Sequence, residues 1–409
     1  MRVLLAPVGS RGDIQPMLAL AIGLRDAGHT VTFSAPPNFG PWVRSYGFTF
    51  HGVGLDMEEF LRDVGINVFE GLRVLREHVG AQFQELAQPM DEADVIIGAS
   101  LHVAGASYAE KSGKPYAYVI FTQSVFPSRA HPQPMVPWQS LPRWFNALTW
   151  KANDGLMNWL YRKAINGERA KLELPPIRNV WSHVLGSPIL LATEPAIATP
   201  PADAPRNFRQ TGAWPLPESG ELEAPLEAFL QAGPPPVYIG FGSMPDKNPD
   251  RTSRILIESV QAIGVRAVIS RGWAKLDMVD IPPNICLIGP NPHGKLFPRV
   301  AAVVHHGGAG TLTAAARAGL PQLLIPHIAD QYHSAKCLYE LGLSPAPISK
   351  SSLSTARLTA ALRVLTTDLD IHARAKAFVP RLTTDGIPRA IAAIEELALN
   401  GRPPLAKAG

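Results

Sequence analysis

Cysteine is nearly absent from this chain: Cys286 and Cys337 are the two among 409 residues, too few for a disulfide framework. A reducing cytoplasm fits that usage, with Cys286 inside the apolar run 285–288. A concentrated basic stripe is also missing. The 38 basic and 34 acidic residues are scattered along the chain for a net charge of +4, which argues against nucleic-acid binding. No stretch approaches the roughly eighteen uninterrupted apolar residues of a membrane span. The first apolar run, Val3 to Val8, is about half the length of a signal-peptide core and leads into a charged loop rather than a cleavage site. The expectation is a soluble protein, or at most a peripheral one.

What is present is a packed α/β pattern. With 46% apolar and 18% charged residues the chain has the balance of a globular protein rather than a disordered one. Its length exceeds what one hydrophobic core usually serves, so two domains are expected. Strand-like residues 2–6, helical spacing over 14–27 stopped by Gly28, and strand-like residues 30–35 make a strand, loop, helix, strand unit, and the rhythm returns over 94–98, 104–112 and 116–121. Nine prolines lie between Pro200 and Pro236, which predicts an extended connector. The rhythm restarts with strands at 237–241, 267–270, 284–288, 301–304 and 322–325 and a helix over 252–263. The fold class read from this is α/β: two doubly wound, Rossmann-like domains facing across a cleft. The boundaries are 1–215 for the first domain, 216–236 for a Pro-rich linker, 237–385 for the second, and 386–409 for a last helix and tail that could pack on either.

Residues 121–181 break the rhythm and hold five of the eight tryptophans, at 138, 144, 150, 159 and 181. As an insertion they could wall a pocket for a bulky apolar ligand. Ordinary core packing and an amphipathic stretch that touches a membrane surface read the same way.

The chemistry concentrates in His305-His306-Gly307-Gly308-Ala309-Gly310-Thr311, set between an apolar run and an Ala-rich stretch. A strand that breaks into glycines and restarts as a helix offers free N–H groups at a positive helix end, a site for phosphate. Neither this loop nor Gly9-Ser10-Arg11-Gly12 fits the dinucleotide fingerprint G-x-G-x-x-G, and the Lys-Ser/Thr of a P-loop is missing. Imidazole and hydroxyl flanking the glycines can donate to a phosphate oxygen whose charge rises as it leaves. Satisfied core histidines beside a tight turn are the alternative for this loop.

The string His305 to Thr311 followed by Ala329-Asp330-Gln331 resembles the donor-binding region of GT-B glycosyltransferases of family 1, the UGT-like group. Together with Gly9-Ser10-Arg11-Gly12-Asp13 it is most similar to the bacterial antibiotic and sterol or lipid glucosyltransferase branch. The resemblance spans both halves, since Gly240-Phe241-Gly242-Ser243 and Ser270-Arg271-Gly272-Trp273 occur in the family's order.

That resemblance implies an inverting transfer, without a metal or a permanently bound cofactor, from a UDP- or dTDP-sugar to a bulky apolar alcohol. Asp13 matches the general base, and a depressed pKa at a helix start would let it act as charge develops on the acceptor oxygen. A plain N-cap is its alternative. His306 matches the diphosphate-binding histidine, with Gly308, Gly310 and Thr311 as further donors and Ser10, Arg11, Gly12 and Ser243 as candidates around the phosphates. Asp330 and Gln331 match the pair that binds sugar hydroxyls. Plant relatives stack the base on a Trp-x-Pro-Gln tryptophan, but the region here reads Gly289-Pro290-Asn291-Pro292-His293, leaving Trp273 as the candidate. His102 is the nearest titratable residue to stand beside Asp13 as a dyad. Glucose is the expected sugar, the expected partners are a small apolar acceptor and a nucleotide sugar with no nucleic acid, and the expected state is monomer or homodimer. A nucleotide-sugar epimerase and a catalytically inactive partner protein are the competing readings.

Overall fold

The computed structural model describes residues 1–56, 68–217, 220–242, 244, 246–272 and 281–401. Seven strands form one wholly parallel sheet: β1 (Arg2–Val8), β2 (Thr30–Ala35), β3 (Thr49–Gly52), β4 (Val95–Ser100), β5 (Tyr116–Ile120), β6 (Ile189–Leu191) and β7 (Phe208–Gln210), in the order β3-β2-β1-β4-β5-β6-β7. Five more, β8 (Val237–Gly240), β9 (Ala267–Ser270), β10 (Ile285–Ile288), β11 (Ala302–His305) and β12 (Gln322–Leu324), form a second parallel sheet ordered β10-β9-β8-β11-β12. These are two doubly wound α/β units, as the sequence predicts. The short strands β3, β6 and β7 carry too few residues to stand out by periodicity.

Central strands are buried on both faces, which is why they read as continuous apolar runs. In β1 the alternation sends Val3 and Leu5 to one core, shared with the Arg11–Asp26 helix, and Leu4 and Ala6 to the other, shared with Val79, Phe83 and the Val180–Leu185 helix. In β8, Val237 and Ile239 face the Pro249–Ile263 helix while Tyr238 packs with Phe297 and Ala315.

The connector differs from its sequence reading. The linker proposed at 216–236 contains the Ala224–Gln231 helix, whose Leu226 and Leu230 are buried against Tyr238 and Val268. Pro225 lies in the first turn of that helix, where a missing N–H costs nothing, so proline density there marks a helix start and not a break. The last helix, Gly386–Asn400, returns to the first domain. Ala390 and Ile394 join its core, and a Cβ on Gly23 would sit 2.4 Å from Ile387, so the two helices meet where glycine allows contact.

One ion pair ties the sheets together. The Glu194 carboxylate, just after β6 and with no side-chain exposure, accepts from Arg317 at 2.7 Å and from the Thr383 N–H at 2.9 Å. Arg317 also donates to the Thr383 carbonyl at 2.6 Å. Because Arg317 ends the Ala309–Arg317 helix, the pair fixes the phosphate-type loop at that helix's other end against the first domain. Replacing Arg317 with Ala leaves a buried carboxylate without its cation. The expected loss is about 3 kcal/mol in urea unfolding; no measurable loss would mean that the backbone donors suffice.

Candidate active site

In an open parallel sheet the ligand crevice lies at the carboxyl ends of the strands where the order reverses. Here the two reversal points are β1/β4 and β8/β11, and the predicted residues gather at both. Register does the positioning: Val8 pairs with Ser100, and His305 pairs with Gly240 on one side and Leu324 on the other. The loops after β1 and β4 therefore share one edge, and those after β8, β11 and β12 share another.

Asp13 lies in the first turn of the Arg11–Asp26 helix. Its carboxylate accepts the Ser10 N–H at 2.7 Å, the Ser10 hydroxyl at 3.1 Å and the Ser100 hydroxyl at 2.5 Å. A Cβ on Gly9 would come within 2.3 Å of Oδ2, so the glycine makes room for the carboxylate. Ser100 adopts φ +61°, a left-handed turn that brings its hydroxyl to Asp13, while the Tyr118 hydroxyl donates to the Ser100 carbonyl. Burial raises the Asp13 pKa, opposed by the bonds from Ser100 and Ser10. The sequence expectation of a depressed pKa is thus reversed, because desolvation outweighs the helix end.

The Asp13–His102 dyad is not formed. His102 Nε2 accepts the Gly105 N–H at 3.0 Å, its Nδ1 has no partner, and burial pushes the ring down to about 3. Ser100, two residues earlier, occupies the place beside Asp13. A polar residue closing the apolar run 95–99 was the available signal for it.

Across the cleft, His305 is a satisfied core residue: its Nδ1 accepts the Gly307 N–H at 3.1 Å and its Nε2 donates to Gln322 at 2.8 Å. His306 differs. Its Nδ1 is buried without a partner, and burial pushes the ring down to about 3, so it is a neutral imidazole with hydrogen-bonding capacity to spare. Glycines flank it, since a Cβ on Gly308 would lie 2.4 Å from Nε2 and one on Gly242 would lie 3.0 Å from Cε1. Gly308 is the N-cap of the following helix, Gly310 faces open space, and Thr311 is half-buried. His306 and these residues together span the turn from β11 into the Ala309–Arg317 helix.

Asp330 and Gln331 diverge in role. The Gln331 amide is committed to its own loop, with Oε1 accepting the N–H groups of His327 at 2.8 Å and Ile328 at 3.1 Å and Nε2 lying 3.2 Å from Met244 sulfur. It braces the turn that presents Asp330, and Ala329 at φ +57° completes that turn. Burial, then the charge of Asp13, pushes the Asp330 carboxyl up to about 6, so the charge of one domain's carboxylate is felt by the other's. Arg11 is exposed, with its guanidinium 4.9 Å from the Trp42 ring, and its charge is felt by His293 of the second domain. Gly12 is exposed beside it. Ser243 and Trp273 lie outside the described residues. Among the described residues, no three His, Cys, Asp or Glu side chains are grouped to hold a metal ion.

The tryptophan-rich segment divides. Trp150 is core, donating to the His131 carbonyl at 3.0 Å, Trp181 lines a cavity with Ser100, and Trp138, Trp144 and Trp159 are exposed. Among the described residues no helix is long and apolar enough to cross a membrane.

Two parallel α/β domains whose reversal points face each other across a cleft are the GT-B architecture of nucleotide-sugar glycosyltransferases. Residues 3–130 match the glycosyltransferase family 28 N-terminal domain, and residues 254–397 match the C-terminal domain of erythromycin biosynthesis protein CIII-like proteins. The chain is 36% identical to the vancomycin aglycone glucosyltransferase of Amycolatopsis orientalis over 94% of its own length and 95% of that protein's. It is 33% identical to a sterol 3-beta-glucosyltransferase of Arabidopsis thaliana, covering 89% of this chain and 63% of that one. The crystal structure of the glycosyltransferase VinC in complex with dTDP superposes with a TM-score of 0.69 at 21% identity, over 98% of this chain and all of that one. The chain therefore belongs to the GT-B glycosyltransferases, beside the antibiotic and sterol glucosyltransferases, and is a sugar-transferring enzyme.

The two carboxylates have a direct check. Asp330 is expected to titrate near pH 6 in carboxyl-carbon NMR, and Asp13→Asn, by removing its negative charge, is expected to lower that value. An Asp330 pKa unchanged by Asp13→Asn would separate the two groups.

Proposed function

We propose that the protein is an inverting glycosyltransferase that moves a sugar, glucose by preference, from a UDP- or dTDP-sugar to a hydroxyl of a bulky, largely apolar acceptor. The observation that carries this reading is Asp13: a partly buried carboxylate held by three hydrogen bonds, raised in pKa, whose charge reaches Asp330 of the second domain.

The acceptor hydroxyl gives its proton to Asp13 as its oxygen attacks the anomeric carbon. The bond from that carbon to the diphosphate breaks on the opposite face, and the electron pair leaves with the nucleoside diphosphate. Desolvation makes Asp13 a stronger base than an exposed carboxylate, while Ser10 and Ser100 hold its oxygens in place. The growing phosphate charge meets His306 and the N-terminal N–H groups of the Ala309–Arg317 helix, with Thr311 adding a hydroxyl. These donors are fixed before reaction and neutralise the leaving group without a divalent ion. The Asp330 carboxylate takes a bond from its own backbone N–H and keeps acceptor capacity for sugar hydroxyls, and Gln331 supports it from behind. The relatives named for vancomycin aglycone and sterol transfer support a large acceptor and glucose, and the dTDP-bound neighbour supports a nucleoside diphosphate as the leaving group.

The test is Asp13→Ala. Donor binding by calorimetry is expected to persist while transfer falls at least about 100-fold, the usual scale of general-base catalysis. Retention of more than about a tenth of wild-type turnover would remove Asp13 from the role of base.

A further inference from the structure

Lined in part by Ser100 is a cavity of about 70 Å³ whose walls also include His78, Gln82, His102, Tyr118, Tyr161 and Trp181. A buried water needs roughly 10–15 Å³ and a cavity that takes a whole benzene ring about 150 Å³, so the space admits the substituted edge of a six-membered ring. Its remaining walls are aliphatic, from Val79, Val103 and Val184. Some of its polar groups are spent: Gln82 donates to the Leu101 carbonyl and accepts the Val103 N–H, each at 2.9 Å, and the Tyr118 hydroxyl is bonded to the Ser100 carbonyl.

Others are not. His102 is wholly buried and its Nε2 accepts a backbone N–H, so the ring proton must sit on Nδ1, and Nδ1 has no partner. His78 is 7% exposed, and neither of its nitrogens is bonded. The indole N–H of Trp181, a donor only, is also buried without a partner. Leaving such groups unmade inside a protein is costly. The backbone nevertheless makes room for both imidazoles. A Cβ on Gly98 would fall 2.3 Å from His102 Cδ2, one on Gly105 2.5 Å from its Nε2, and one on Gly54, at φ +69°, 1.9 Å from His78 Cε1. Burial holds both rings neutral.

We propose that this cavity is the inner end of the acceptor site, and that His78, His102 and Trp181 select an acceptor whose buried ring carries an uncharged oxygen, hydroxyl or carbonyl, besides the hydroxyl that is glycosylated. The inference rests on the transferase reading for where the reacting hydroxyl lies. Ser100 joins the two places, since it lines the cavity and donates to Asp13. An oxygen on the buried ring would accept from His102 and Trp181 and could donate to His78. A hydrocarbon of the same shape would leave all three groups unpaired.

The experiment compares 4-hydroxybenzyl alcohol with 4-ethylphenol, which match in size and nearly in phenol acidity but differ by one hydroxyl. Equilibrium binding by calorimetry is expected to favour the alcohol about tenfold in the wild type, the worth of one hydrogen bond in a desolvated site. His78→Leu and His102→Leu are each expected to bring the ratio towards one. His102→Leu also removes the acceptor of the Gly105 N–H, so thermal unfolding is followed for both variants, and His78→Leu, which breaks no hydrogen bond, carries the result if the other fails to fold. Equal binding of the two phenols by the wild type, or a preference that survives His78→Leu and a folded His102→Leu, would overturn the proposal. Transfer assays with a nucleotide sugar run in parallel. A binding preference without transfer to either phenol would keep the cavity assignment and count against the proposed placement of the reacting hydroxyl at Asp13.

Discussion

Everything at the centre of this molecule follows from one desolvated carboxylate. Asp13 can be partly withdrawn from water because Ser10 and Ser100 supply three hydrogen bonds to it, and because Gly9 lacks the Cβ that would strike it. Burying a charge without such partners is prohibitive. With them, the carboxylate stays in place at a raised pKa, and that combination of fixed position and increased basicity is what a base needs. The same desolvation lets its charge reach Asp330, a residue 317 positions later in the chain, so the electrostatics of each half depend on the closeness of the other.

Sheet topology explains why those halves meet there. In both domains the order of strands reverses beside the first strand, opening a crevice at the carboxyl edge, and the loops that fill the crevices carry Asp13, Ser100, His306 and Asp330. The Glu194–Arg317 pair and the Gly386–Asn400 helix, which crosses back to the first domain, hold the two crevices in register. Glycine recurs wherever an imidazole or a carboxylate must lie against backbone, at Gly9, Gly98, Gly105, Gly242 and Gly308.

Much of this could be read from the sequence where the signal was local. The central strands are apolar runs, and the glycine loop 305–311 carries its own signature of a strand turning into a helix. Asp13 stands at a helix start that the apolar spacing of 14–27 announces. What escaped was long-range. Nothing near Asp13 in the chain names Ser100 as its partner, and His102 looked equally suitable until the left-handed turn at Ser100 is known. Gln331 reads as a sugar ligand by its neighbour, yet its amide closes a loop, because the N–H groups of His327 and Ile328, four and three residues upstream, point back at it. The Pro-rich connector misled for a related reason: proline opens a helix as readily as it breaks one, and only the burial of Leu226 and Leu230 shows which.

The proposed function makes a stereochemical commitment. In the proposed mechanism, with Asp13 as base and the His306 loop as anion trap, the acceptor enters opposite the departing diphosphate. Proton NMR of the product formed from an α-linked nucleotide glucose and a simple phenol reads the outcome at the anomeric centre. The β-glucoside is the expected product. An α-glucoside would require a route in which Asp13 and His306 do not act from opposite faces, and would contradict the arrangement described here.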